Sequence, residues 1–193
     1  QRMPSPDGKR IGTQPLVSNS QQLSWQCNVV PNAYRSSEHT VIATEAYSRY
    51  TLLMPYNFAP TVETFEKDFL TRFESEIQLL MLESGALGLP QLIRVKQQFD
   101  AHQIIFKWFR NTDMSVNGHV GDAEQWLRQA LEDTGRSCLR EKDALDLGDY
   151  INKLRKRAKR GQSSTQGFYP VARLLDDALY RFADGLAEGR YPG

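Results

Sequence analysis

Residues 104–131, IIFKWFRNTDMSVNGHVGDAEQWLRQAL, are the stretch whose reading decides the fold. Ile104, Ile105, Phe106, Trp108 and Phe109 are β-branched or aromatic and suit a strand buried on at least one face. Residues 111–121 hold Asn, Asp, Ser and glycine, which bend a chain or bond its backbone locally, so a polar loop is expected there. Asp122 followed by Gln125 fits a capping box, and Ala123, Trp126, Leu127, Ala130 and Leu131 then recur with helical period. Such a strand–loop–helix joint turns loop amides outward at a helix start, where a ligand is well served. Asn111, Asp113, Ser115, Asn117, His119 and Asp122 are therefore the expected ligand-binding residues. No catalytic motif accompanies them.

Working outward, residues 92–99 read as a second strand that pairs with 104–109 through Asp100, Ala101 and His102. Upstream lies the strongest helical signal. Pro60 and Thr61 open it, and Val62, Phe65, Phe69, Phe73, Ile77 and Leu80 fall on one face before Gly85 stops it. Residues 25–30 look like a short strand ended by Pro31, and residues 40–43 and 48–54 like a hairpin turning through 44–47. Glu45, Arg49 and Lys107 could converge, but charges on strand edges usually face water, and that is the expectation here. Residues 1–20, rich in Pro, Ser, Gly and Gln, form an expected irregular arm ahead of a single domain over 21–193. Downstream, Gly135 ends the central helix. Leu147, Tyr150, Ile151, Leu154 and Ala158 mark another, residues 161–167 a linker, and Pro170 the first residue of a last helix. Strands without regular βαβ alternation, followed mostly by helices, predict an α+β fold: an antiparallel or mixed sheet covered by several helices on one side.

Composition sets the outer limits. The 193 residues suffice for one filled core, and 40% hydrophobic with 24% charged residues is globular rather than disordered. A net charge of +1 argues against a generally basic coat for nucleic acid. Cys27 and Cys138 have no ligand spacing and read as reduced thiols of a cytoplasmic protein, with one disulfide between them as the alternative. No run approaches the ~20 apolar residues of a membrane span, and no hydrophobic signal core is seen at the start of the sequence.

The loudest charge signal is Lys153, Arg155, Lys156, Arg157, Lys159 and Arg160, expected at a helix C-terminus. It fits phosphate neutralisation and equally a solvated face helped by the helix dipole. His119 with Asp113 and Asp122 is the one grouping that suits a cation or proton relay, although His39, His102 and His119 all lack a partner at ligand spacing. There is no P-loop, GxGxxG or GxSxG, so neither cofactor nor metal is expected. The leading expectation is a non-enzymatic binding protein with a protein or small-molecule partner. A nucleic-acid binder using 153–160 and a cation-dependent enzyme centred on 111–122 are the alternatives. A homodimer is also expected, with Leu175, Leu179 and Phe182 of the last helix at or near its interface.

The segment Asp113-Met-Ser-Val-Asn-Gly-His-Val-Gly-Asp122 resembles the Asn-Arg-Ser-Val-x-Gly-Ser-x-Asn-Asp segment of a family of small, uncharacterised bacterial proteins often carried on plasmids and other mobile DNA. Ser115, Val116, Gly118 and Asp122 agree. Trp25-x-x-Asn28 followed by a hairpin and Thr44-Glu45 is similar to that family's early pattern, and Asn152 before Tyr169-Pro170 is similar to its ending. Met114 stands where the family has Arg, which removes any anion-binding role of that residue here. The resemblance implies an origin, an accessory protein of mobile genes that binds rather than catalyses.

Overall fold

Residues 12–160 and 164–183 are described in a computed structural model of the chain, with side chains described outside 158–166. Strands β1 (Trp25–Pro31), β2 (His39–Glu45) and β3 (Thr51–Tyr56) form an antiparallel sheet in that order. Helices α1 (Val62–Glu83), α2 (Leu89–Ala101), α3 (Met114–Thr134) and α4 (Glu141–Lys153) follow. A two-stranded ribbon, β4 (Lys156–Arg160) with β5 (Ser164–Phe168), leads into α5 (Pro170–Phe182). The fold is α+β, as the order of sequence signals predicts.

The helices, however, cover both faces of the sheet rather than one. From Thr40 to Glu45 no residue of β2 is more than 2% exposed. Val41, Ala43, Leu52 and Met54 meet the Phe65, Phe69, Phe73, Ile77 and Met81 stripe of α1, together with α2 and α5. Ile42, Leu53 and Val30 meet Val120, Ala123, Leu127 and Leu131 of α3, and Ala144 and Ile151 of α4. The pleat sends successive side chains to opposite faces, so an unbroken run of buried residues needs two apolar layers.

Both expected central strands turn out differently. Residues 92–99 belong to α2, because Val95 and Phe99 are four apart and buried on one helical face, with Pro90 in the first turn. Residues 104–109 join no sheet. Their aromatic rings pack along α1 instead: Phe106 lies 6.0 Å from Phe69, Trp108 lies 5.8 Å from Phe65, and the Trp108 indole donates to Glu66 at 2.6 Å. Ile105 is left 78% exposed. Nor is 114–121 a loop. Asp113 caps α3 by accepting from the amides of Ser115 (2.7 Å) and Val116 (3.2 Å), and buried Val116 and Val120 extend the face of Ala123 and Leu127 backwards. Gly118 and Gly121 are exposed inside this helix.

At its other end α4 stops at Lys153, earlier than the sequence suggests, and the basic run becomes β4. A continuing helix would stack like charges four apart (Lys153 with Arg157, Arg155 with Lys159), whereas a strand alternates its side chains between faces. Asn152, 1% exposed, holds the junction. Its amide donates to the Thr51 carbonyl and accepts from the Thr51 amide, both at 2.8 Å, closing the free edge of β3. Within the expected linker, 161–163 lie outside the described residues and 164–167 are part of β5.

The first strand of the hairpin reaches further into the turn than expected, to Glu45, and the second starts later, at Thr51, with Thr44 opposite Thr51. Glu45, far from facing water, is buried in this turn. Its carboxylate accepts from the Tyr47 amide (2.9 Å), the Ser48 amide (2.5 Å), the Ser48 hydroxyl (2.7 Å) and the Ser18 hydroxyl. Arg49, also buried, has φ +61° and donates to the Ala46 carbonyl and to Ser115 Oγ at 2.9 Å. Lys107 remains exposed. Residues 12–20 of the arm are irregular, as expected, yet fastened, while 1–11 lie outside the described residues. Asn111 bonds the Gln14 backbone in both directions, Asp113 takes the Leu16 amide at 2.7 Å, and Arg181 donates to the Asn19 and Ser20 carbonyls.

Leu179 and Phe182 are buried in the chain's own core, where Phe182 meets Phe73 and Phe99. The residues expected at an interface thus pack in the chain's own core, with Leu175 partly buried beside them. Cys27 and Cys138 are free thiols, and burial pushes Cys27 up to about 12. Among the described residues no helix is long and apolar enough to cross a membrane.

Two stability measurements check this arrangement. A Cβ at Gly118 or Gly121 meets nothing within 4 Å. Gly118→Ala with Gly121→Ala should therefore raise the urea midpoint, by about 1–2 kcal/mol in total; a loss of stability would contradict a helix through 114–121. Asn152→Ala leaves two buried backbone groups of Thr51 unpaired and should cost about 2–4 kcal/mol by the same measurement.

Candidate functional site

Helix α3 divides its residues between two tasks. Val116, Val120, Ala123, Leu127 and Leu131 face the sheet. His119, Asp122, Gln125, Trp126 and Gln129, at intervals of three or four along the other side, form one wall of a groove. The second wall is the chain where α4 gives way to β4: Leu154, Arg155, Lys156 and Arg157. The cavity between them measures about 640 Å³.

Its charge is uneven. Arg155 and Arg157 are exposed, and neither forms an ion pair among the described residues. Lys156 is only 8% exposed, and its ammonium has no hydrogen bond or ion pair among the described residues. Burial pulls its affinity for the proton down, opposed by the Asp122 carboxylate. His119 is held more firmly neutral. Burial first, then the positive charges of Arg49 and Lys156, lower it to about 4 against the opposing pull of Asp122. Its Nδ1 is buried without a hydrogen-bond partner among the described residues. A half-sheltered ammonium and a neutral imidazole, flanked by two guanidiniums without an ion pair among the described residues and faced by one carboxylate, make a site that is short of negative charge.

Trp126 is 38% exposed and meets Tyr150, 47% exposed, at 5.2 Å and 78°. Gln125 and Gln129 are exposed beside it. Arg155 lies across Gly167, where a Cβ would stand 2.3 Å from its Nε. The absence of a side chain at 167 is what seats that guanidinium over β5.

The expected ligand residues separate accordingly. Asn111, Asp113 and Ser115 are engaged by the arm, the helix cap and Arg49, and Asn117 is half-buried one turn further along. His119 and Asp122 reach the groove. Asp113 sits nine residues before Asp122 on the same helix, roughly 13 Å along its axis, so the three do not meet around one cation. Within the basic run, Lys153 pairs with Asp149 at 2.8 Å, and Arg155, Lys156 and Arg157 line the groove. Lys159 and Arg160 lie in β4. Trp126 falls within the helical period of the apolar residues yet is exposed beside Gln125 and Gln129; the stripe these three share with His119 and Asp122, opposite the Val/Ala/Leu stripe, is the signal in the sequence that points to them.

No family model matches the chain, and neither a curated protein nor a solved structure does.

The depressed His119 titration has a measurable sign. The unfolded chain binds the proton from pH ~6.5 downward and the folded chain only near 4, so stability should fall as pH drops through that window. His119→Gln, compared with the parent in urea melts at pH 7 and pH 4.5, should lose less stability on acidification. An equal loss in both would place His119 in an open, hydrated position.

Proposed function

We propose that the protein is a non-enzymatic nucleic-acid-binding protein, an accessory of mobile bacterial DNA that works in the cytoplasm. One observation carries this reading: the groove joins the polar face of α3 to the basic segment, so that Arg155, Lys156 and Arg157 share its lining with a single carboxylate, Asp122. Three cations against one carboxylate leave the groove with an excess of positive charge that an anion would offset. Phosphates suit a row of cations spaced along one wall, Gln amides suit base edges, and an exposed indole suits stacking. The overall charge of +1 is compatible, since charge complementarity acts locally.

Fluorescence anisotropy with labelled oligonucleotides, single- and double-stranded, tests it. Engagement of three phosphates predicts roughly 20–40-fold weaker binding at 200 mM than at 50 mM salt. Arg155→Ala with Arg157→Ala should flatten the log–log salt slope by roughly 1.5. Absence of binding to either form at 50 mM salt would sink the reading.

A protein partner has separate support in the strip of exposed Ile104, Ile105 and Phe109, laid along α1 without a strand partner. Self-association through it would appear in sedimentation as a dimer that Ile105→Asp dissolves.

A further inference from the structure

The geometry points to a single-stranded chain, DNA or RNA, as the ligand of the groove, with one unstacked base against Trp126 and its phosphate at Lys156. This deepens the nucleic-acid reading of the same site and rests on it. In a duplex the bases are stacked inside and offer only their edges, so a concave site with an indole in its wall has nothing to hold. A single strand can turn a base out, and an aromatic face accepts any base. The cavity, about 640 Å³, is of the size that encloses a small molecule; a splayed nucleotide fits that description and a double helix does not.

The residues around Trp126 divide the work. Tyr150 stands nearly at right angles to the indole and fixes its plane, yet leaves Trp126 more than a third exposed. Gln125 and Gln129 offer donors and acceptors to whichever base edge arrives, so weak sequence preference is expected. On the facing wall Lys156 is the anion subsite, and Arg155 and Arg157 flank it to follow the backbone of the strand. Asp122 also lines the groove, the one carboxylate among those residues. It faces Lys156 and His119 and works against a phosphate placed beside it. Asp122→Asn should accordingly tighten binding. Gly167 acts as a positioning residue: a methyl there would push the Arg155 guanidinium from its seat without touching the groove's other wall.

The experiment compares labelled dT12 and U12 with the corresponding duplexes at 50 mM salt. At least tenfold tighter binding of one of the single strands than of its duplex is expected. Trp126→Ala should weaken it about 5- to 100-fold while leaving the salt slope unchanged, and Trp126→Phe should restore most of the loss. Binding should quench tryptophan fluorescence in the parent and much less in Trp126→Phe. Thermal melts show whether Trp126→Ala folds; if it does not, Trp126→Phe and Gly167→Ala decide by quenching and by a two- to tenfold loss of affinity. Equal or tighter duplex binding, or an unaltered quench in Trp126→Phe, overturns the single-strand inference and leaves nucleic-acid binding standing. No binding of either form removes both.

Discussion

Because strand β2 is buried along both faces from Thr40 to Glu45, the chain has to supply two apolar layers, and most of its path follows from that requirement. Helices α1, α2 and α5 make one layer with a dense cluster of phenylalanines; α3 and α4 make the other with aliphatic side chains. A three-stranded sheet left open on one face would expose Ile42 and Leu53 to water. At about 25 cal/mol per Å² of apolar surface, covering residues of that size contributes on the order of 2 kcal/mol each. The groove is a consequence of the second layer, since it lies where α3 runs beside the end of α4.

Polar groups in so dry a centre need partners, and the hairpin turn illustrates how most of them are found. Glu45 receives four donors, one of them from the arm at Ser18. Arg49 beside it accepts a left-handed backbone conformation and reaches across to Ser115 on α3. Arg173 on α5 lies 3.5 Å above the Phe168 ring, near Tyr47, and donates to the Tyr47 carbonyl. The turn is thereby the meeting point of the arm, the second layer and the last helix. Such networks specify one arrangement because a half-made version would leave charges buried and unpaired.

The pairing is not complete everywhere: Arg49 Nε, Asp177 Oδ1 and His119 Nδ1 are buried without a hydrogen-bond partner among the described residues. Asp177 still has Arg181 at 2.7 Å, and of these three only His119 lines the groove, beside Lys156 and Asp122.

How much of this was legible beforehand depends on the range over which each signal acts. The sequence by itself determined α1, whose apolar spacing is local and strong, the hairpin between two apolar runs, the stop at Gly135 (φ +63°) and the start of α5 at Pro170. It also identified His119, Asp122 and the basic run as chemically unusual, since residue type and clustering are visible without coordinates. What only the tertiary structure decided was the role of ambiguous segments. Residues 104–109 have strand composition, but a strand exists only through a partner, and α1 took their rings instead. Residues 114–121 have loop composition, but Asp113 as cap and the core contacts of Val116 and Val120 outweigh two glycines at roughly 1 kcal/mol each. The basic run has helical composition, but Asn152 fastens the chain to Thr51, and pairing with β5 draws it into a strand. The groove joins segments some thirty residues apart, and that distance is closed by packing on a shared sheet, which no local pattern records.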